Sequence, residues 1–212
     1  LKRVEKGNKG AIAVMDLSAI YKGLGAEKAK RGLFFTDDRS SVVVRDEITL
    51  SEANSTVYSF FMTDTAVELA QDGQTATLTH SSGKQMKLEF TTTGTGTATL
   101  GYGPATREML GTTSPINAAV HEDEDKYDVE DADVNRIYVK MAGASGNVSI
   151  TVKITPGDVN GSSINEYDKS ISTWAVPEGD IATMPELQRV LIDGREMNFN
   201  SAKQATFLAV VD

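Results

Sequence analysis

Two acidic pairs, Asp37-Asp38 and Asp46-Glu47, flank the valine triplet 42–44 in the stretch RGLFFTDDRSSVVVRDEITL. Carboxyl pairs act as acid and base in glycoside cleavage when they stand roughly 5 to 9.5 Å apart across a sugar. Successive residues of a strand point to opposite faces. Asp46 and Glu47 are therefore expected on different sides of a sheet and cannot line one cleft together. Asp37-Asp38, followed by Arg39 and two serines, has the composition of a polar turn. The chemistry suggested by the carboxylates gives way to a hairpin.

The remaining reactive groups are sparse. His80 sits beside the turn sequence SSG, where a solvated imidazole is expected, and His121 opens the acidic run HEDEDKYDVEDAD. Its carboxylates suit a hard cation such as calcium, but no glycine breaks the middle of the run, which reads as a solvated loop. In GDVNGSSINEYDK, Asp158 and Asn160 match positions one and three of a calcium loop. Ser162 is a weak fifth ligand, Ser163 replaces the turn glycine, and Lys169 stands where a bidentate acid belongs. No amphipathic helix follows, so a dockerin or EF-hand is excluded. Neither G-x-S-x-G, nor a P-loop, nor G-x-G-x-x-G occurs. Trp174, the single tryptophan, is expected in a core or a domain interface. The sequence thus nominates no catalytic residue, no metal ligand and no cofactor, and it assigns no substrate-binding residue.

The elements that would position these groups are short strands. LFFT and VVVRDEITL flank a polar turn, TVYSFFMT spans 56–63, TAVELA and TATLTH flank QDGQ, and KQMKLEFT follows SSG. RIYVKM (136–141) and NVSITVKIT (147–155) read as two alternating strands around GASG, and TTTGTGTATLGYGP (91–104) as a strand mixed with an irregular loop. GAIAVMDLS is expected to be a strand ending at Asp16, then a turn. This spacing predicts an all-β antiparallel sandwich with a small C-terminal β appendage. The divisions expected are a sandwich over 1–155, a linker or loop with one candidate strand over 156–183, and C-terminal strands over 184–212, the latter turning at Asp193-Gly194.

Composition sets further bounds. The 212 residues are 40% apolar and 24% charged, with no cysteine. Neither a disulfide framework nor a thiolate site is available, and no apolar run approaches the ~20 residues of a membrane span. The net charge of −9 is uneven: residues 121–133 carry −7, and residues 1–31 carry +5. A short basic start is not the dense basic face that nucleic acid requires. The opening residues form no basic-then-apolar leader, which leads to the expectation of a mature product or a piece of something longer.

The segments Asp16-Leu17-Ser18 with Tyr21, Arg31-Gly32, Val42–Glu47, and Phe61 through Leu78 together resemble the C-terminal β-sandwich region of heparinase II/III-like polysaccharide lyases. The resemblance spans about residues 10–155. It implies a parent enzyme in which an α/α toroid precedes β-sandwich domains and cleaves uronate-containing polysaccharide by β-elimination. The Tyr and His groups of that reaction lie mainly in the toroid. By the resemblance, this chain is a non-catalytic accessory domain, periplasmic or extracellular, whose partner is the toroid of the same polypeptide. An acidic polysaccharide is a second candidate partner. Lys28, Lys30 and Arg31 would face the toroid or its substrate. The tail 187–212 also resembles short appendages of exported carbohydrate-active proteins from gut-type bacteria. The alternative is a stand-alone carbohydrate-binding or protein-interaction sandwich.

Overall fold

Alternating apolar and polar residues give many of the strands one buried face, and the computed structural model assembles these faces into a mostly antiparallel sheet. It describes residues 3–7, 10–36, 40–105, 134–157, 163–175, 180–181, 189–192 and 195–198. The strands are β1 (Arg3–Gly7), β2 (Gly10–Asp16), β3 (Ala26–Phe35), β4 (Val42–Leu50), β5 (Ser55–Thr63), β6 (Ala66–Leu69), β7 (Thr75–Thr79), β8 (Gln85–Pro104), β9 (Asn135–Pro156) and β10 (Asp180–Ile181). They lie in the order β10-β1-β2-β3-β4-β9-β8-β7-β6, with β5 also paired to β9. Among the described residues β11 (Arg189–Ile192) and β12 (Arg195–Asn198) pair only with each other. The apolar segment 207–211 lies outside the described residues.

The two longest strands depart from the sequence expectation. Residues 136–141 and 147–155 are not separate strands but the two halves of β9, and 91–104 is continuous strand within β8 rather than strand and loop. Their register slips between Thr93 and Thr97, opposite Ala142–Ser149. Gly94, at φ +98°, sits at that slip. Beyond it, β5, the first half of β9 and the second half of β8 form a three-stranded flap. Bulges of this kind bend a strand without ending its pairing.

The flap's inner face packs on the main sheet. Val57, Leu100, Ile137, Val139 and Met141 from the flap share one core with Leu88, Phe90, Val148, Ile150 and Val152 from the sheet. The result is the sandwich-like, all-β architecture expected from the strand spacing. Residues 148–153 of β9 are buried on both sides. Their second face is covered by a strap, residues 163–174, containing single-turn 3-10 helices at Ile164–Glu166 and Ile171–Thr173. Ile171, Trp174 and Tyr167 of the strap pack on Ile12, Val14, Phe34 and Val43.

β2 does end at Asp16, and the turn after it is one helical turn, α1 (Ser18–Tyr21). The Asp16 carboxylate accepts the Ser18 N–H at 3.0 Å, and the Ser18 hydroxyl accepts the Ala29 N–H at 3.1 Å. The Asp-Leu-Ser motif is therefore a stitch from β2 to β3.

In the β6–β7 hairpin, Asp72 accepts the N–H groups of Gln74 (2.8 Å) and Thr75 (3.0 Å) and the Thr75 hydroxyl (2.8 Å). Hydrogen bonding, chiefly from the Gln74 N–H, holds this carboxyl below the ordinary aspartate value. A depressed carboxylate contributes stability above its unfolded pKa and loses it as pH falls through the folded value. A pH titration of side-chain carboxyl NMR signals is expected to place Asp72 below an ordinary aspartate. An ordinary midpoint would contradict the hydrogen-bonded turn.

Candidate functional site

β4 places Asp46 and Glu47 on opposite faces, as strand alternation requires. Asp46 points inward, where Arg31 donates two hydrogen bonds to its carboxylate, from Nε at 2.6 Å and from a terminal nitrogen at 2.8 Å. Ser59 of β5 donates a third at 3.0 Å, tying sheet to flap. The bond to Asp46 raises Arg31 above the ordinary guanidinium value. Glu47 points outward, accepting Arg45 Nε at 3.1 Å and the Ile171 N–H at 2.8 Å. Arg45 also donates to Thr151 and to Asp168, both at 2.6 Å. These carboxylates hold strands and strap in place. Neither meets the other across an open cleft.

The other nominated residues are dispersed. His80 is exposed, with Nδ1 2.8 Å from the Ser82 hydroxyl. Trp174, at the end of the strap, is buried against Phe34. Ser163 caps the first 3-10 turn by accepting the Asn165 N–H, and Lys169 is exposed. Asp37, Asp38, His121, the acidic run 121–133, Asp158, Asn160 and Ser162 lie outside the described residues. Among the described residues no cluster of His, Asp and Glu could hold a metal ion.

The expected grouping of Lys28, Lys30 and Arg31 is corrected. Lys30 lies opposite Glu47 and Arg31 opposite Asp46, so they stand on different faces of β3. Lys28 and Lys30 stay together on the outer face and border a cleft of about 230 Å³ with Glu47, Thr49, Asn147 and Ser149. Its walls are set by pairing across β3, β4, β9 and β8. Thr49 donates to the Asn147 side-chain oxygen at 2.8 Å, and Ser149 shares a 2.6 Å bond with Thr93. Both lysines are exposed, and neither has a carboxylate within ion-pair distance among the described residues.

A second surface lies on the flap's outer face. Tyr58 and Phe60 stack at 5.4 Å with an interplanar angle of 7°, and Tyr138 meets Tyr58 edge-on at 6.1 Å. Arg136 stands 5.2 Å from the centre of the Phe60 ring and Lys140 5.8 Å from that of Tyr58. Tyr138 crosses Gly101 so closely that any β-carbon there would overlap its ring.

No family model matches the sequence, and no curated protein matches it. Among solved structures, the heparan sulfate lyase HepC from Pedobacter heparinus aligns at a TM-score of 0.50 with 9% identity, over 76% of this chain and 22% of that one. This chain and that segment of HepC share a fold. A heparinase III gene product aligns at a TM-score of 0.48 with 15% identity, over 73% of this chain and 21% of its own. Another heparinase III structure gives 0.46 and 16%, over 74% and 21%. The chain thus spans about a fifth of the length of the lyases it matches. At these identities the likeness is one of fold. Among the described residues no helix is long and apolar enough to cross a membrane.

Sequence reasoning did not nominate Arg45 or Lys153 as buried charges, nor Asp168 as the partner of Arg45. Lys153 is only 2% exposed and lies 4.0 Å from the Glu89 carboxylate. The available signal was a cation inside a strand-like run, in VVVRDEITL and NVSITVKIT, where alternation alone assigns it to solvent.

Proposed function

We propose that the chain is a non-catalytic accessory β-domain of a larger heparinase-like polysaccharide lyase. β-Elimination of a uronate-containing polysaccharide would take place on a helical toroid of the same polypeptide, outside the cytoplasm. The observation that carries this reading is the partial match itself: 76% of this chain against 22% of HepC. The carboxylates support it, since Asp46, Glu47 and Asp168 are committed to bracing bonds with Arg31, Arg45 and the strap. The domain's physical role is then to support the toroid and shape one wall of its cleft.

Incubated with heparan sulfate, the isolated chain is expected to release no unsaturated uronate detectable by ultraviolet absorbance. The coding frame is expected to continue upstream into helix-rich sequence with Tyr and His at cleft positions. An unsaturated product from the isolated chain, or a frame closing immediately upstream, would overturn the reading. A second reading is a stand-alone carbohydrate-binding or protein-interaction module, and the aromatic and cationic row on the flap favours its protein-interaction form. It expects saturable binding with no lyase domain in the same frame.

A further inference from the structure

We infer that the cleft bordered by Lys28 and Lys30 is a binding subsite for an anionic sugar unit. Its lining combines what such a unit requires. Two ammonium groups stand on alternate residues of β3, on the same face and without carboxylate partners among the described residues. Opposite them are the hydroxyls of Thr49, Thr93 and Ser149, and the amide of Asn147. The Asn147 oxygen is engaged by Thr49, so its NH₂ group remains as a donor. Arg45 is shared between the Glu47 carboxylate and Asp168, a trio that sums to −1, and Lys28 and Lys30 turn the group to +1. Carboxylate or sulfate would meet the lysines, while ring hydroxyls exchange hydrogen bonds with the β4 and β9 side chains.

The flap row fits a sugar less well. The inner faces of Tyr58 and Phe60 are turned to each other, and Lys140 and Arg136 lie over the rings. Stacking surface is thus already occupied. In the cleft the donors and acceptors converge from four strands held rigid by sheet pairing, the arrangement that keeps the entropic cost of binding small. The cleft supplies the contact chemistry, and the accessory-domain reading above supplies the class of polymer.

The test is calorimetric titration of the chain with heparan sulfate oligosaccharides, polygalacturonate and neutral dextran. Saturable binding of heparan sulfate that weakens with salt is expected. Binding of polygalacturonate as well would assign recognition to the carboxylate, and binding of heparan sulfate alone to the sulfate. Both results support the subsite. The double variant Lys28→Gln/Lys30→Gln is expected to lose about tenfold or more in affinity. Asn147→Ala, which changes no charge, is expected to weaken binding as well, whereas Arg136→Gln and Lys140→Gln on the flap leave it unchanged. Absence of saturable binding, equally tight dextran binding, or equal losses from cleft and flap variants would overturn the subsite. The coding frame and the product assay decide the accessory reading separately, so the two can fail independently.

Discussion

Alanine at Arg45 is expected to lower the unfolding free energy by about 3 kcal/mol, the scale of breaking a buried ion pair from one side. The Arg45 side chain is 7% exposed and holds Glu47 and Asp168, which are 25% and 20% exposed. Without the guanidinium, two carboxylates are left partly desolvated near one another, and Thr151 loses its donor. Strap and sheet meet here, because Glu47 also accepts the Ile171 N–H. Arg45→Lys keeps the charge but loses the planar fork that reaches both acids, so an intermediate loss is expected. Urea denaturation measures the cost. Trp174, the single tryptophan and the buried end of the strap, reports the strap's release by fluorescence. An unchanged midpoint with unchanged Trp174 emission would show that the network contributes little.

Gly94→Ala is expected to cost about 2–4 kcal/mol, combining left-handed backbone strain with overpacking. A β-carbon at Gly94 would stand 2.4 Å from the Asn147 carbonyl oxygen and 3.0 Å from the Val148 Cα. Both are backbone atoms of β9 and cannot swing aside as a side chain would. Gly146→Ala provides the control. Its φ is +68°, but nothing lies within 4 Å of the added carbon, so only strain of about 1 kcal/mol is expected. Equal losses at the two positions, measured by denaturant midpoint, would remove the steric account of the bend.

The hairpins were legible because their signals are local. QDGQ and SSG join paired strands, with Gly73 and Gly83 at positive φ. The bend was not legible. GASG and TTTGTGT have the same turn composition as a hairpin, and only their pairing with each other reveals two long strands kinked together. Similarly, Lys28, Lys30 and Arg31 form one basic cluster along the chain but divide between faces, because β3 alternates through them.

RGLFFTDDRSSVVVRDEITL concentrates this division. By itself the stretch determined a strand in which Asp46 and Glu47 point apart, since side-chain direction follows from backbone geometry within two residues. Partnership required the tertiary structure. Asp46 meets Arg31 and Ser59 under the flap, while Arg45 meets Asp168, 123 residues further along. Contacts at that separation depend on how the bent β9 brings flap and strap onto the two faces of one sheet, and no local pattern encodes that bend. The same assembly placed Thr49 and Asn147 beside the two lysines and formed the cleft.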